Sequence, residues 1–500
     1  MMRPRGRVAV VFVACCFVLA GSVAAAPELR ENPARSVDDP LGGGGRAFII
    51  DSKILGESRE VLLGLPASFD SGSPTCRYPV LLTFDGDSDF SPVLVTARYL
   101  AEAGQIPEAI VVGVSNPDRI HDLTPPGLSV SGSSLAEGGD RMLDFLEREL
   151  LPSLGAQFRA GVPHVLIGHS SAAVLATYAA ATRAATFPFT VALDAPTHLQ
   201  NGWLSERLIE AAQKSSRAGA GSFGVRHVSI ESRFGWSQDA WSRLVAAAPD
   251  SWILERRSLD HESHQSMVFL GAYLGLRSVF ADYSVLSAPA SPTSATIEHY
   301  QTLASAYGAE PIPPRVLLVR AVDDLIIEGE RELAGRTLAS LEGSYGKSPA
   351  TEAVAARLEA ARSRPPLTET VRDLVATPKP SPREMAAFLG VWEGQIQTDG
   401  GAPPSRLRVR FFEKDGSMAG EVISWPAPGV EDIQPVTYLR LADGGLQFGY
   451  PNGMRPRGVL VYEAIGDSQK LTGTMEIRGV DFQLPGGRSM PTVRFSLTRT

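Results

Sequence analysis

The stretch from His164 to Ala180, HVLIGHSSAAVLATYAA, constrains this chain more than any other because its pattern changes abruptly at its middle. Val165-Leu166-Ile167 is an apolar run that reads as a buried parallel strand, whereas Ala172 to Ala180 is alanine-rich and favours helix. Gly168-His169-Ser170-Ser171-Ala172 forms the corner between them. A serine at the tip of so tight a turn has the residues two positions to either side nearly touching. Gly168 and Ala172 must therefore lack bulk, and the turn holds the Ser170 hydroxyl clear of the sheet. The Ser171 amide, at the helix start, points where negative charge would collect on an oxygen under attack. The corner makes Ser170 a candidate nucleophile, with alanine at the fifth position where the G-x-S-x-G pattern has glycine. The alternative is an ordinary strand-to-helix junction with polar residues at a helix start, and the rest of the chain decides between them.

The surrounding chain alternates. Ala47–Leu55 and Arg59–Leu65 read as an antiparallel edge pair joined by Gly56-Glu57-Ser58. Strands are then predicted at 79–84, 109–114, 164–167, 190–193, 226–230 and 252–259, with helices near 91–103, 138–151, 171–182, 203–213, 237–248 and 266–281. This alternation implies an α/β fold, a doubly wound, mostly parallel sheet covered on both faces, whose active groups belong at the carboxyl ends of the strands. The polar clusters fall there. Asp85-Gly86-Asp87 follows the first parallel strand, Asn116, Asp118, Arg119 and Asp122 the second, and Ser170 the third; Glu231 follows the fifth, and Asp260, His261 and His264 the sixth. Random surface placement would not favour one edge.

The ends of the chain and its composition limit the setting. Residues 1–26 carry Arg3, Arg5 and Arg7, an apolar run from Val8 to Ala20 and then small residues, the pattern of a cleaved secretory signal; the run is shorter than the roughly 20 residues a membrane-spanning helix needs. A periplasmic or secreted location is expected, with no integral span after cleavage. The formal net charge of −8 becomes −11 on removal of those three arginines, which offers no general attraction to nucleic acid or anionic lipid. Cys76 alone remains beyond the leader, so no internal disulfide is expected; no Cys/His cluster has zinc spacing, and neither metal nor cofactor is implied. Residues 27–45, rich in Pro, Gly, Asp and Arg, read as a flexible leading segment.

From Val61 to Phe280 the sequence resembles the putative-esterase family of α/β-hydrolases, which includes esterase D and the siderophore and feruloyl esterases. The resemblance rests on Pro79-Val80-Leu81-Leu82 with Asp85-Gly86-Asp87, Ile110–Val114 with Asn116-Pro117-Asp118-Arg119, and Asp122-Leu123-Thr124-Pro125. It continues through Gly138-Gly139, Phe145-Leu146, Glu149–Pro152, the Gly168-His169-Ser170 corner, and His264-Gln265-Ser266 with Gly275-Leu276-Arg277. The family's pair of glycines after the nucleophile is Ala172-Ala173 here. The resemblance implies a serine esterase that forms an acyl-enzyme on a small-molecule ester, whether siderophore, feruloyl or simple acyl.

Serine needs a base, itself oriented by an acid. His264 and His261 both lie in the loop before the last helix, late in the chain. The resemblance selects His264, with Ser266 expected to cap the helix and His261 expected as a solvated loop residue. His169 is expected against the sheet or lining the pocket, where it would contact substrate. For the acid the position past the fifth strand selects Glu231, with Asp239 and Asp260 as alternatives, and a surface ion pair as Glu231's other reading. The second oxyanion donor is expected in Gly86-Asp87-Ser88, at Asp87, beside that of Ser171. Arg119 either braces Asp122 or contacts substrate.

Boundaries are expected at 46–284 for the esterase region, 295–365 for a helical spacer with one degenerate tetratricopeptide-like hairpin (Leu325 to Leu341), and 383–500 for an all-β region. There Leu407, Val409 and Phe411 alternate with Arg406, Arg408 and Arg410, and Val493, Phe495 and Leu497 with polar residues, the mark of half-buried strands in a sandwich or up-and-down barrel. Gly390-Val391-Trp392 resembles the opening of lipocalin-like barrels, which could hold an apolar ligand or dock on a surface. The readings competing with an esterase are an acyltransferase using the same nucleophile and a non-catalytic binding protein on a retired hydrolase scaffold.

Overall fold

The computed structural model describes residues 26–33, 35, 44–128, 137–218, 224–284, 299–300, 302–309, 311–327, 330–362, 374, 376–398, 403–414, 416–427, 430–442, 445–451, 459–478 and 493–500. The leader, except Ala26, and the Ser/Ala/Pro-rich stretch around 290 lie outside these residues, as do Gly329, Asp415, Asp443 and Gly444. Among the described residues no helix is long and apolar enough to cross a membrane.

The first sheet contains β1 (Leu29–Glu31), β2 (Arg46–Ser52), β3 (Glu57–Gly64), β4 (Tyr78–Thr83), β5 (Ile110–Val114), β6 (Ala160–His169), β7 (Phe189–Leu193), β8 (Arg226–Glu231) and β9 (Ile253–Ser258). Its order is β1-β2-β3-β5-β4-β6-β7-β8-β9. The run from β5 to β9 is parallel, and β1, β2 and β3 add an antiparallel edge. Strand β1 lies inside the segment expected to be flexible. Leu29 is buried, and Gln157 exchanges hydrogen bonds with its main chain, which holds three residues too short to register as a strand by pattern.

Helices α1 (Gly86–Glu102), α2 (Arg119–Leu123), α3 (Gly139–Phe145), α4 (Leu151–Phe158), α5 (Ser171–Thr182), α6 (Leu199–Ala218), α7 (Gln238–Ala247) and α8 (Met267–Val279) cover the sheet, with a π turn over Leu146–Leu150 joining α3 to α4. Because strand side chains alternate, Val80, Leu82 and Leu166 enter one core with α3, α4 and α5, whereas Leu81, Val165 and Ile167 enter another with α1 and α8. Helix α1 begins at Gly86 rather than near 91: Asp87, expected in the stretch that follows the first parallel strand, and Asp89 are acids in a helical first turn, where the dipole favours them. Within α6, Gln200, Asn201 and Gly202 have left-handed backbones, so regular helix starts at Trp203, near the predicted position.

Buried His227 on β8 offers a test of this packing. Its Nδ1 meets Thr190 Oγ1 at 2.9 Å, Trp236 lies edge-on to its ring, and burial pushes its pKa down to about 4. The unfolded chain, with an ordinary histidine near 6.5, binds more protons than the folded one between these values. Stability from the neutral ring is therefore complete above about pH 6.5 and is lost as pH falls towards 4. Relative to His227→Gln, the wild type is expected to lose about 3 kcal/mol across that window in urea titrations; an unchanged difference between the two proteins would refute the assignment.

After the sheet, Tyr283, Tyr300, Leu303 and Tyr307 join the α1/α8 core, and Tyr307 donates to Asp282, which also holds Arg226. Helices Arg315–Ile327, Arg331–Tyr345 and Pro349–Arg362 follow, with Val322, Leu325, Ala334, Val354 and Leu358 buried among them. They meet the first region where Ser71 Oγ donates to the Tyr345 carbonyl and Arg315 pairs with Glu102.

The last region is an antiparallel half-barrel of β10 (Gly390–Thr398), β11 (Ser405–Lys414), β12 (Ser417–Ala427), β13 (Val430–Pro435), β14 (Tyr438–Ala442), β15 (Gly445–Pro451), β16 (Val459–Gly466), β17 (Lys470–Arg478) and β18 (Val493–Arg499). Strand β18 returns to pair with β10. The two ends of the pairing order, β13 and β14, adjoin in sequence through Val436 and Thr437, whose amides bond to Gly420 and Gly449. Leu407, Val409, Phe411, Phe495 and Leu497 face inward as their alternation predicts, and Phe448, Tyr462 and Trp392 fill the space between them. Trp392 Nε1 donates to the Phe388 carbonyl, and Arg499 lies over the Trp392 ring while donating to the Leu389 carbonyl, which ties the last strand to the first.

Candidate active site

The corner predicted at 168–172 is a strand-to-helix turn in which Ser170 takes φ 60°, ψ −119°. A side chain other than glycine rarely adopts this conformation, and such strain persists where the surroundings enforce it. The Ser170 amide donates to the Leu193 carbonyl at 2.9 Å, and its carbonyl accepts from Ala173 and Val174 in the first turn of α5. Gly168 has no room for a side chain: an added Cβ would come within 2.2 Å of the Ala172 carbonyl oxygen. The departure from glycine at Ala172-Ala173 is accommodated by packing, since both methyls are buried and that of Ala173 lies against Ala192 and Ala195.

His264 lies in the β9–α8 loop. Its ring is 4.5 Å from that of His169, and its carbonyl is 2.7 Å from His169 Nε2. Burial and the neighbouring His264 lower the His169 pKa, so its ring is neutral and committed to the main chain of the loop. Phe234 meets the His264 ring edge-on, and His198 stacks on Phe234. His261 is exposed. Ser266 precedes α8 but does not cap it: its hydroxyl donates to Glu262 and accepts from the Ser263 amide.

The carboxylate beside His264 is Asp194, with Oδ2 2.9 Å from Nδ1. Asp194 follows β7 directly, in a left-handed conformation with φ 49°, and is fully buried. The Ser232 hydroxyl donates to Oδ2 at 2.6 Å, and the main-chain amides of Ser232, Arg233 and Phe234 donate to the same carboxylate. Burial by itself would raise the Asp194 pKa. The Ser232 hydrogen bonds, with those from His264 and Arg233, outweigh it and hold the carboxyl below its usual value.

None of the carboxylates selected from sequence makes this contact. Glu231 turns away from His264: Arg256 Nε donates to its Oε2 at 2.9 Å, while the Trp236 amide and the Ser229 hydroxyl donate to Oε1 at 3.1 Å. Asp239 is exposed on α7, 4.0 Å from Arg243, and Asp260 accepts from Ser258. The parallel-edge rule applied to the fourth strand would have found Asp194, since Asp194-Ala195-Pro196 follows Thr190–Leu193.

At the other side of the corner, the Ser171 amide opens α5 and Asp87 lies in the first turn of α1. Asp85 precedes that turn with φ 50°, its carbonyl taken by the Ser88 and Asp89 amides; the first amides of a helix have no intrahelical acceptor, and those of Gly86 and Asp87 lie ahead of these two. The Asp87 side chain points away, to Arg35 at 2.6 Å. The expected brace between Arg119 and Asp122 does not form. Asp122 is buried against Arg59 at 2.5 Å, a partner 63 residues away, whereas Arg119 Nε donates to both oxygens of Asp85 and Nη2 to the His169 carbonyl. No group of acids, histidines or cysteines that could hold a metal occurs among the described residues.

Sheet order and the serine corner define an α/β-hydrolase-like fold. Residues 52–269 match the family model described as putative esterase. Among solved structures, an IroE-like serine hydrolase from Shewanella oneidensis is similar at 25% identity, over 60% of this chain and 98% of that one, with a TM-score of 0.48. The siderophore hydrolase EstA from Aspergillus nidulans is similar at 16% identity over 50% and 98%, with a TM-score of 0.42. The enterobactin esterase from Shigella flexneri is similar at 20% identity over 48% and 59%, with a TM-score of 0.35. No curated protein matches this chain.

Proposed function

We propose that the protein is an exported serine carboxylic-ester hydrolase acting through an acyl-enzyme on Ser170, with His264 as base and Asp194 as the acid that orients it. The observation carrying this reading is the His264–Asp194 pair at 2.9 Å, together with a serine held at positive φ in the strand-to-helix turn. Ser170 Oγ attacks the ester carbonyl carbon as its proton passes to His264 Nε2; the oxyanion takes hydrogen bonds from the amides of Ser171 and Asp87. Collapse of the tetrahedral intermediate breaks the bond to the leaving alcohol, which takes the proton from His264. Water then attacks the acyl group by the same route and frees Ser170. Asp194 stays ionised throughout and stabilises the imidazolium through Nδ1–H. The match of residues 52–269 to the putative-esterase model supports a small-molecule ester; the family resemblance includes siderophore, feruloyl and simple acyl esters. The leader supports export to the periplasm or beyond. The inner face of the β region is filled by its own aromatic residues, which favours contact with a surface over enclosure of a ligand.

Labelling with a fluorophosphonate probe tests the nucleophile. One probe per chain is expected, mapped by peptide mass to Ser170, together with hydrolysis of short acyl esters by the unlabelled protein. A folded protein that neither takes the label nor hydrolyses any ester of a broad panel would overturn the reading and leave the binding-protein alternative.

A further inference from the structure

Two separate pieces of chain supply the oxyanion donors in this reading. One is the α1 start, set by Asp85; the other is the α5 start, set by His169 and Ser170. Their mutual spacing is not fixed by the sheet alone, since β4 ends before Asp85 and the donors sit in turns beyond the last ladder pairs, Thr83 with Ile167 and Gly113. One side chain joins them. Arg119 Nε donates to Asp85 Oδ1 and Oδ2 at 2.9 and 3.0 Å, and its Nη2 donates to the His169 carbonyl at 3.2 Å. Asp85 is held from behind as well: its amide donates to Asn116 Oδ1 at 3.0 Å, Asn116 Nδ2 donates to Asp122 at 3.3 Å, and Asp122 is fixed by the buried Arg59, which also binds the Ser115 carbonyl.

We infer that Arg119 is a positioning residue that sets the distance between the two arms of the oxyanion hole, gripping the residue before α1 and the residue before the nucleophile with one guanidinium. The inference rests on the proposed esterase reading. Its physical basis is that donors stabilise an oxyanion only when aimed before the charge develops, so an arm free to shift loses most of its effect while substrate still binds. A planar, forked guanidinium can hold both anchors at once. A lysine ammonium in the same place reaches one of them.

The experiment compares wild type, Arg119→Lys, Arg119→Met and Asp85→Asn with a neutral acetyl ester and with an ester bearing a free carboxylate. Arg119→Lys and Arg119→Met are each expected to lower kcat about a hundredfold, the scale of one mis-set oxyanion donor, with KM within about twofold for both esters. Fluorophosphonate labelling should slow in parallel, because phosphonylation uses the same hole. The Arg119→Met, Asp85→Asn double variant should lose no more than the worse single variant, and added guanidine should restore about tenfold of the kcat lost in Arg119→Met. A rise in KM with kcat unchanged, or a loss confined to the carboxylate-bearing ester, would make Arg119 a substrate contact and overturn the inference. So would an Arg119→Lys enzyme with kcat within threefold of wild type. Should Arg119→Met fail to fold, the Lys variant and its labelling rate carry the test. An inert, unlabelled wild type would instead remove the esterase reading itself.

Discussion

Replacing Ser170 by alanine is expected to lower kcat on short acyl esters by about six orders of magnitude, the scale on which removal of a serine nucleophile silences a triad. Nothing else in the corner can take the role: Ser171 is turned into the first position of α5, and His169 spends its Nε2 on the His264 carbonyl. Folding should be nearly untouched. The energy of holding a non-glycine residue at φ 60° is the same for alanine as for serine, and the hydrogen bonds of Ser170 among the described residues run through its main chain. Initial rates beside a thermal melt check both halves. Turnover within tenfold of wild type in a protein with an unchanged melting temperature would move the nucleophile elsewhere.

The corner was legible because its constraints are local: a strand, a helix and the five small or polar residues between them all lie within 17 positions. The same holds for the arginine-flanked strand β11 and for the parallel edge that gathers Asp85, Asn116, Ser170 and His264. What sequence did not reveal is which of several strand-end carboxylates turns towards His264. That choice is made by the loop 231–236. Arg256, two strand positions before the register partner of Glu231, draws the Glu231 carboxylate outward and holds the Trp236 carbonyl. The loop then turns its amides of 232–234 onto Asp194, 38 to 40 residues earlier in the chain. Asp122 was misread for the same kind of reason. Its partner Arg59 comes from an antiparallel edge strand whose register with β5 no local pattern encodes.

Asp194→Asn should lower kcat by about four orders of magnitude with KM little changed. An asparagine offers His264 Nδ1 either an amide oxygen without charge or an NH2 group that forces the wrong tautomer, and the imidazolium formed as Ser170 attacks loses its counter-charge in a fully buried position. Glu231→Gln separates the two acids. Glutamine can still accept from the Trp236 amide through its oxygen but loses the charge that faces Arg256, a group about a quarter exposed. The expected result is a stability loss of about 1–2 kcal/mol and a fall in kcat of tenfold or less, through loosening of the loop that solvates Asp194. Asp239→Asn and Asp260→Asn, both at the surface, should leave turnover unchanged. Steady-state kinetics on the four variants decide the matter: a thousandfold loss in Glu231→Gln beside an active Asp194→Asn would return the role of acid to the end of β8. The opposite ranking would mean that His264 is oriented from the end of β7, and that the carboxylate at the β8 position serves the loop and not the histidine.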